Sequence, residues 1–213
     1  MEDFQMIKRF ADYETTKAYT GDAFKLPAGG YICKIIGAKV EDYSWGQVIA
    51  IAFDINEGDQ KDFYKKQFDA NTSEDKKWKG TYRLNVPKDD GSQQDAWTKR
   101  RFKTFTDALE ESNSGYHFDW DETKFKGKLF GATFAETFYK VKDTGNCGTY
   151  TAVYDIVPAE KIRKNAFRKI PDLYVPKKLV NDYNAWKAGK SENKPGNDGF
   201  MNIPEGVDEE VPF

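Results

Sequence analysis

The stretch Val48-Ile49-Ala50-Ile51-Ala52-Phe53-Asp54-Ile55 decides the fold class. Its large residues, Ile49, Ile51, Phe53 and Ile55, alternate with small or polar ones at period two, and a strand sends alternate side chains to opposite faces. One face of it therefore belongs to a core. Tyr31 to Val40, just upstream, is β-branched and mostly apolar, and Asp42 to Gly46 turns the two runs into a hairpin. Downstream, Asn56-Glu57-Gly58-Asp59 leads to an expected third strand around Asp62 to Ala70.

A polar, basic connection follows, with a short alternating piece at Tyr82-Arg83-Leu84-Asn85-Val86. Ser92 is placed to cap a helix in which Trp97, Phe102, Phe105, Ala108 and Leu109 recur near helical spacing, and Asn113-Ser114-Gly115 ends it. Lys128 to Lys140 and Thr149 to Val157 are two long alternating strands joined by a turn-rich linker, Lys142 to Gly148. Three strands, one helix and two strands is the order of the OB-fold. The expected class is mainly β: an OB-like five-stranded barrel with one helix between strands 3 and 4, plus a C-terminal extension. An SH3-like barrel or a β-sandwich shares this string of elements.

Composition agrees with sheet. Phe (16) and Tyr (12) both outnumber Leu, which occurs six times, so rings and β-branched residues carry the apolar volume. No apolar run is long enough for a membrane span and no N-terminal apolar run follows a basic segment, so an intracellular, cytoplasmic protein with no membrane partner is expected. Cys33 and Cys147 lie far apart in strand-like runs without metal-ligand spacing, which predicts two buried, reduced thiols. The net charge of −2 is unevenly spread. From Pro195 onward there are five acids and no Lys or Arg, whereas residues 1–194 hold all 33 basic side chains against 30 acidic ones, a net of +3.

The sequence has no phosphate-binding Gly-rich loop, no nucleophile elbow and no His-Glu-x-x-His. Its one histidine, His117, sits in a polar loop and is expected at the surface. Asp119, Asp121 and Glu122, followed by Thr123-Lys124, are the best enzyme-like cluster; paired carboxylates beside a lysine suit a Mg²⁺-dependent nuclease, while acids in a loop usually cap or solvate it. Neither catalysis nor a cofactor is expected here. Nucleic-acid binding has more behind it. Residues 76–103 carry nine basic side chains against three acids, with Trp78, Tyr82 and Trp97 interleaved, and residues 161–178 carry seven against Asp172 alone, with Phe167 and Tyr174. Cationic grooves for phosphates and flat rings for bases are what a single strand needs. Phe53, Phe102, Phe105, Phe130 and Phe134 are assigned to the core. Rings beside cations are assigned to binding: Tyr64 with Lys65 and Lys66, Trp78 with Lys77 and Lys79, Tyr82 with Arg83, and Tyr139 with Lys140, with Arg100 as a further phosphate contact. Trp45, in the first hairpin turn, is either a further binding ring or a clamp on the rim.

The sequence ends on Asp208-Glu209-Glu210-Val211-Pro212-Phe213. This ending closely resembles the acidic C-terminal tip of bacterial single-stranded DNA-binding proteins, whose chains finish on acids, an aliphatic residue, Pro and Phe. The layout is similar too: an OB-fold, a Gly/Pro/polar linker and a tip. The body more resembles phage-encoded proteins of similar size found among replication and recombination genes. The resemblance implies binding of single-stranded DNA without strong sequence preference in a phage-infected bacterial cell, and recruitment of replication and recombination enzymes by the tip. A partner then needs a pocket for the Phe213 ring, a cation for its α-carboxylate and a basic rim for Asp208, Glu209 and Glu210. Phage proteins of this kind act as monomers or dimers, so a homodimer is compatible. The expected organisation is an N-terminal extension (1–23), the OB-like domain (24–160), a basic extension (161–189), a flexible linker (190–205) and the tip (206–213). The alternatives are the nuclease already described and a phage adaptor or structural protein that ignores DNA.

Overall fold

The computed structural model describes residues 9, 11, 13–15 and 25–192, without the side chains of 190–192. Most of the N-terminal extension, nearly all of the linker and the whole tip, including Asp208, Glu209, Glu210, Val211, Pro212 and Phe213, lie outside the described residues.

The elements are β1 (Gly29–Tyr43), β2 (Gly46–Ile55), α1 (Phe63–Ala70), β3 (Thr81–Asn85), α2 (Gln93–Ser112), β4 (Leu129–Lys140), β5 (Cys147–Val157), α3 (Ala159–Arg163) and α4 (Val180–Glu192), with 3-10 turns at Glu122–Phe125 and Lys177–Leu179. The strands make one antiparallel five-stranded sheet in the order β3-β2-β1-β4-β5, and α2 falls between β3 and β4. The sheet is open, with β3 and β5 at its edges. β1 serves both halves: Gly29 to Lys34 pair with β4, and Cys33 to Tyr43 pair with β2. Its register with β2 shifts between Ile35 and Gly37, leaving Ile36 as a bulge that bends the strand.

The alternating run of β2 faces inward as its pattern requires. Ile49, Ile51 and Phe53 join Ile35, Tyr82, Leu84, Phe130 and Phe134 in the core, closed from below by Phe102, Phe105, Ala108 and Leu109 of α2. All five phenylalanines assigned to the core are there. Ser92 caps α2 by accepting from the Asp95 N–H at 3.0 Å. At the other end Asn113 clamps the helix to β4: its amide donates to the carbonyls of Leu109 and Leu129, both at 2.7 Å, and its oxygen accepts from the Leu129 N–H.

The expected third strand is a correction. Residues around Asp62 to Ala70 form α1, and the third strand is the short piece Thr81–Asn85. Phe63, Tyr64 and Phe68 recur at helical spacing, and a buried carboxylate from the neighbouring strand starts the helix. Asp54 accepts from the N–H groups of Tyr64 at 2.9 Å and Lys65 at 3.0 Å, the free donors of the first turn, while Asp62 makes no side-chain cap.

The basic extension packs back on the sheet. Ile162 of α3 and Phe167 fill notches left by Gly131 and Gly30; a Cβ on Gly131 would lie 2.7 Å from Ile162, and one on Gly30 would lie 2.9 Å from Phe167. Farther on, the Tyr174 N–H donates to the Glu136 carbonyl and the Phe138 N–H donates to the Tyr174 carbonyl, adding one parallel bridge to β4. Tyr183 and Trp186 of α4 then cover Phe138. α4 runs to Glu192, past the expected start of the linker. Among the described residues no helix is long and apolar enough to cross a membrane.

Candidate nucleic-acid interface

Three rings assigned to stacking on bases lie in the interior instead. Tyr64 is 8% exposed, Tyr82 4% and Tyr139 9%. Tyr64 packs edge-on against Phe53, Tyr82 stacks on Phe105, and Tyr139 meets Tyr150 edge-on. For Tyr82 and Tyr139 the reason is the strand period: where Arg83 and Lys140 point to water, the ring one residue earlier points to the opposite face. Trp78 is half-buried, and its indole N–H donates to the carbonyls of Gly80 at 3.0 Å and Phe53 at 3.2 Å.

The cations are spread over several surfaces. Lys65 pairs with Asp69 on α1, and Lys66 donates to the Lys61 carbonyl at 2.7 Å. Lys77 is exposed and Lys79 half-buried in the connection before β3. Arg100 lies 5.2 Å above the ring of exposed Trp97 on α2. Lys140 pairs with Asp182 of α4, which raises the lysine's pKa. Of all these, Arg83 alone lies on a sheet face that also carries exposed rings.

That face is the outer surface of β1, β2 and β3. Because Ala38, Val40, Ile49, Ile51, Tyr82 and Leu84 turn inward, the residues between them turn outward. Register places Lys39, Ala50 and Arg83 in one cross-strand row and Gly37, Ala52 and Thr81 in the next. The floor is small side chains; the rims are cationic.

At the turn end of this face, Arg83 Nη1 donates to Glu41 Oε2 at 2.6 Å and to the Tyr43 hydroxyl at 3.0 Å, and that hydroxyl donates to the same Glu41 oxygen at 2.7 Å. The hydrogen bond from Tyr43, and then that from Arg83, hold the Glu41 carboxyl below the usual range; Glu41 in turn raises the pKa of Arg83. Tyr43 stacks on Trp45 with centroids 5.2 Å apart and planes 16° from parallel. Trp45 is 52% exposed and Tyr43 41%. The sequence singles out Trp45 but gives no reason to choose Tyr43, Lys39 or Glu41, whose proximity depends on the β1–β2–β3 register. The arrangement offers a backed aromatic plane beside a guanidinium already bonded to a carboxylate.

A second aromatic and cationic group lies on β5 and the extension. Register between β4 and β5 shifts between Thr133 and Phe134, so Tyr154 is the unpaired residue of a bulge. The Arg168 guanidinium sits 4.2 Å above the Tyr154 ring and pairs with Asp155 at 3.0 Å, and Tyr174 lies 5.5 Å from Tyr154. Burial raises the pKa of Tyr174, Tyr154 adds to the rise, and Arg168 and Arg101 oppose it.

The acidic loop takes another form. Asp119 and Asp121 both pair with Lys124, and Asp121 also accepts from the Thr123 N–H at 3.1 Å. Among the described residues no three His, Cys, Asp or Glu side chains come together as a metal-ligand group. His117 is exposed as expected, with Glu110 3.7 Å away. Both cysteines are free, but only Cys33 is buried, which pushes its thiol pKa up; Cys147 is half-exposed at the start of β5, a correction to the expected pair of buried thiols. Comparison with protein-family models finds no match, and comparison with curated proteins finds none.

Proposed function

We propose that this protein binds single-stranded DNA without strong sequence preference and without turnover, through an OB-like barrel. The observation that carries the reading is the outer face of β1–β2–β3, where the exposed Tyr43–Trp45 pair stands beside Arg83 and Lys39 above a floor of Ala50, Ala52 and Gly37. Such a face offers stacking and phosphate contacts at once, and stacking does not distinguish the bases strongly. The OB-like reading is supported by the sheet order. β1 lies between β2 and β4, α2 lies between β3 and β4 in the chain, and the open edges β3 and β5 are the pair that the OB barrel brings together.

The resemblance of residues 208–213 to the tip of bacterial single-stranded DNA-binding proteins supports a role in phage replication or recombination, with the tip docking partner enzymes. The acidic-loop nuclease gains no support, because its two aspartates are engaged by Lys124. The test is fluorescence-anisotropy titration of labelled oligo-dT against a duplex of the same length, at two salt concentrations, with the full chain. Tight, salt-sensitive binding to the single strand over the duplex is expected. No binding at low salt, with or without residues 199–213, overturns the reading in favour of the protein-only adaptor.

A further inference from the structure

The segment from Lys161 to Lys178 carries seven cations and, within it, Asp172 as the lone acid. It is held to the sheet by groups of its own. Ile162 and Phe167 are seated against Gly131 and Gly30, Arg163 pairs with Glu57 at 2.8 Å, Arg168 pairs with Asp155, and Tyr174 bridges to Thr137. Anchoring occupies Arg163, on Glu57 just past β2, and Arg168, on Asp155 of β5, and leaves other cations over. Lys169 and Lys177 are exposed and have no ion-pair partner among the described residues. Lys169 directly follows Arg168, whose guanidinium covers the Tyr154 ring, and Lys177 comes three residues after Tyr174. Tyr154 and Tyr174 form a half-exposed ring pair at the bulge in β5.

A cation-rich segment that served only as a tether would have no need of a fixed backbone or of rings at its centre. Here the backbone is pinned by the Tyr174 bridge, and the bulge takes Tyr154 out of the strand's alternation and sets it against the segment. Cations before and after Tyr174, in a segment pinned at that residue whose ring pairs with Tyr154, repeat the ingredients of the β1–β2–β3 face on another part of the surface. We infer that the extension, with β5, forms a second contact region for the same single strand, in which Lys169 and Lys177 take phosphates and the Tyr154–Tyr174 pair takes a base. The inference rests on the proposed single-strand binding, and it makes the bound stretch longer than the β1–β2–β3 face alone covers.

The test compares three full-length proteins on poly-dT: wild type, the double variant Lys169→Gln/Lys177→Gln, and a control with two other exposed lysines removed, Lys61→Gln/Lys126→Gln. Log affinity is read against log salt, the occluded site size is measured by titration at low salt, and thermal unfolding confirms that all three fold. Removing one lysine–phosphate pairing lowers the salt slope by about 0.7 for a single strand, so a fall of about 1.4 and a smaller site size are expected in the Lys169/Lys177 variant alone. Unchanged slope and site size overturn the second contact region while leaving the first face standing. An equal fall in the control also overturns it, because the effect is then one of overall charge. Absence of wild-type binding overturns the underlying reading itself.

Discussion

Tyr43 and Trp45 lie face to face at the β1–β2 turn, ring centroids 5.2 Å apart and planes 16° from parallel. The Tyr43 hydroxyl is tied to Glu41 and Arg83, so the ring that backs Trp45 is itself held from the side. On the proposed reading, a base stacking on Trp45 would meet a plane that is already ordered, which lowers the entropy cost of binding.

Trp45→Ala removes that plane. Stacking of one base on an aromatic is worth about 1–3 kcal/mol, so affinity for oligo-dT falls by roughly five- to 150-fold. The melting temperature stays close to wild type, because Trp45 belongs to the exposed turn and not to the core. Anisotropy titration and a thermal melt on the same preparation check both halves.

Glu41→Gln separates stability from binding. The folded-state pKa of Glu41 is depressed, so its pairing stabilises the fold above the ordinary glutamate range and that contribution is lost as pH falls through the folded value. At neutral pH the variant is less stable by under about 1 kcal/mol, since the pair is partly solvated, and the difference closes as pH falls from the ordinary glutamate range through the lower folded-state value. Its affinity for a single strand rises at neutral pH, because Arg83 no longer faces a carboxylate that competes with phosphate. Urea melts at several pH values, paired with titrations at pH 7, read the two effects; unchanged affinity in the variant would show that Arg83 does not meet the strand.

Asp54→Ala attacks the start of α1. It leaves the N–H groups of Tyr64 and Lys65 without their acceptor, at a cost of about 1–3 kcal/mol. Hydrogen exchange should quicken at those two amides before it does in α2. Equal protection in wild type and variant would mean that the helix starts by other means.

Gly131→Ala tests the seat of the extension. The added Cβ would lie 2.7 Å from Ile162 and, on its other sides, 2.8 Å from the Val157 carbonyl and 2.9 Å from that of Pro158. Overpacking of this kind costs about 1–3 kcal/mol. Since the Val157 and Pro158 carbonyls belong to the backbone, Ile162→Ala in the same chain does not restore stability, and denaturant midpoints of the single and double variants show whether that holds.

Four of the five strands, the helix between the third and fourth, and its caps at Ser92 and Asn113 are legible in the chain, because periodicity and capping are local. The misplaced third strand shows the limit of that reading: Phe63, Tyr64 and Phe68 fit a helix, yet what starts α1 is Asp54, ten residues back on β2. A carboxylate arriving from another element leaves no local signal.

By itself the sequence determined which runs alternate, where α2 begins and ends, which phenylalanines fill the core, and that cations and rings gather in two regions. Tertiary structure decided which rings meet water. Pairing each ring with the cation beside it sent Tyr82 and Tyr139 to the surface, whereas neighbours on a strand face opposite ways and an exposed cation marks a buried ring. Rings and cations that share a face are brought together by register across strands, as Glu41, Tyr43 and Arg83 are, or by a bulge and a returning segment, as Tyr154, Arg168 and Tyr174 are. Those contacts span many residues of chain, and only the paired and packed sheet sets them.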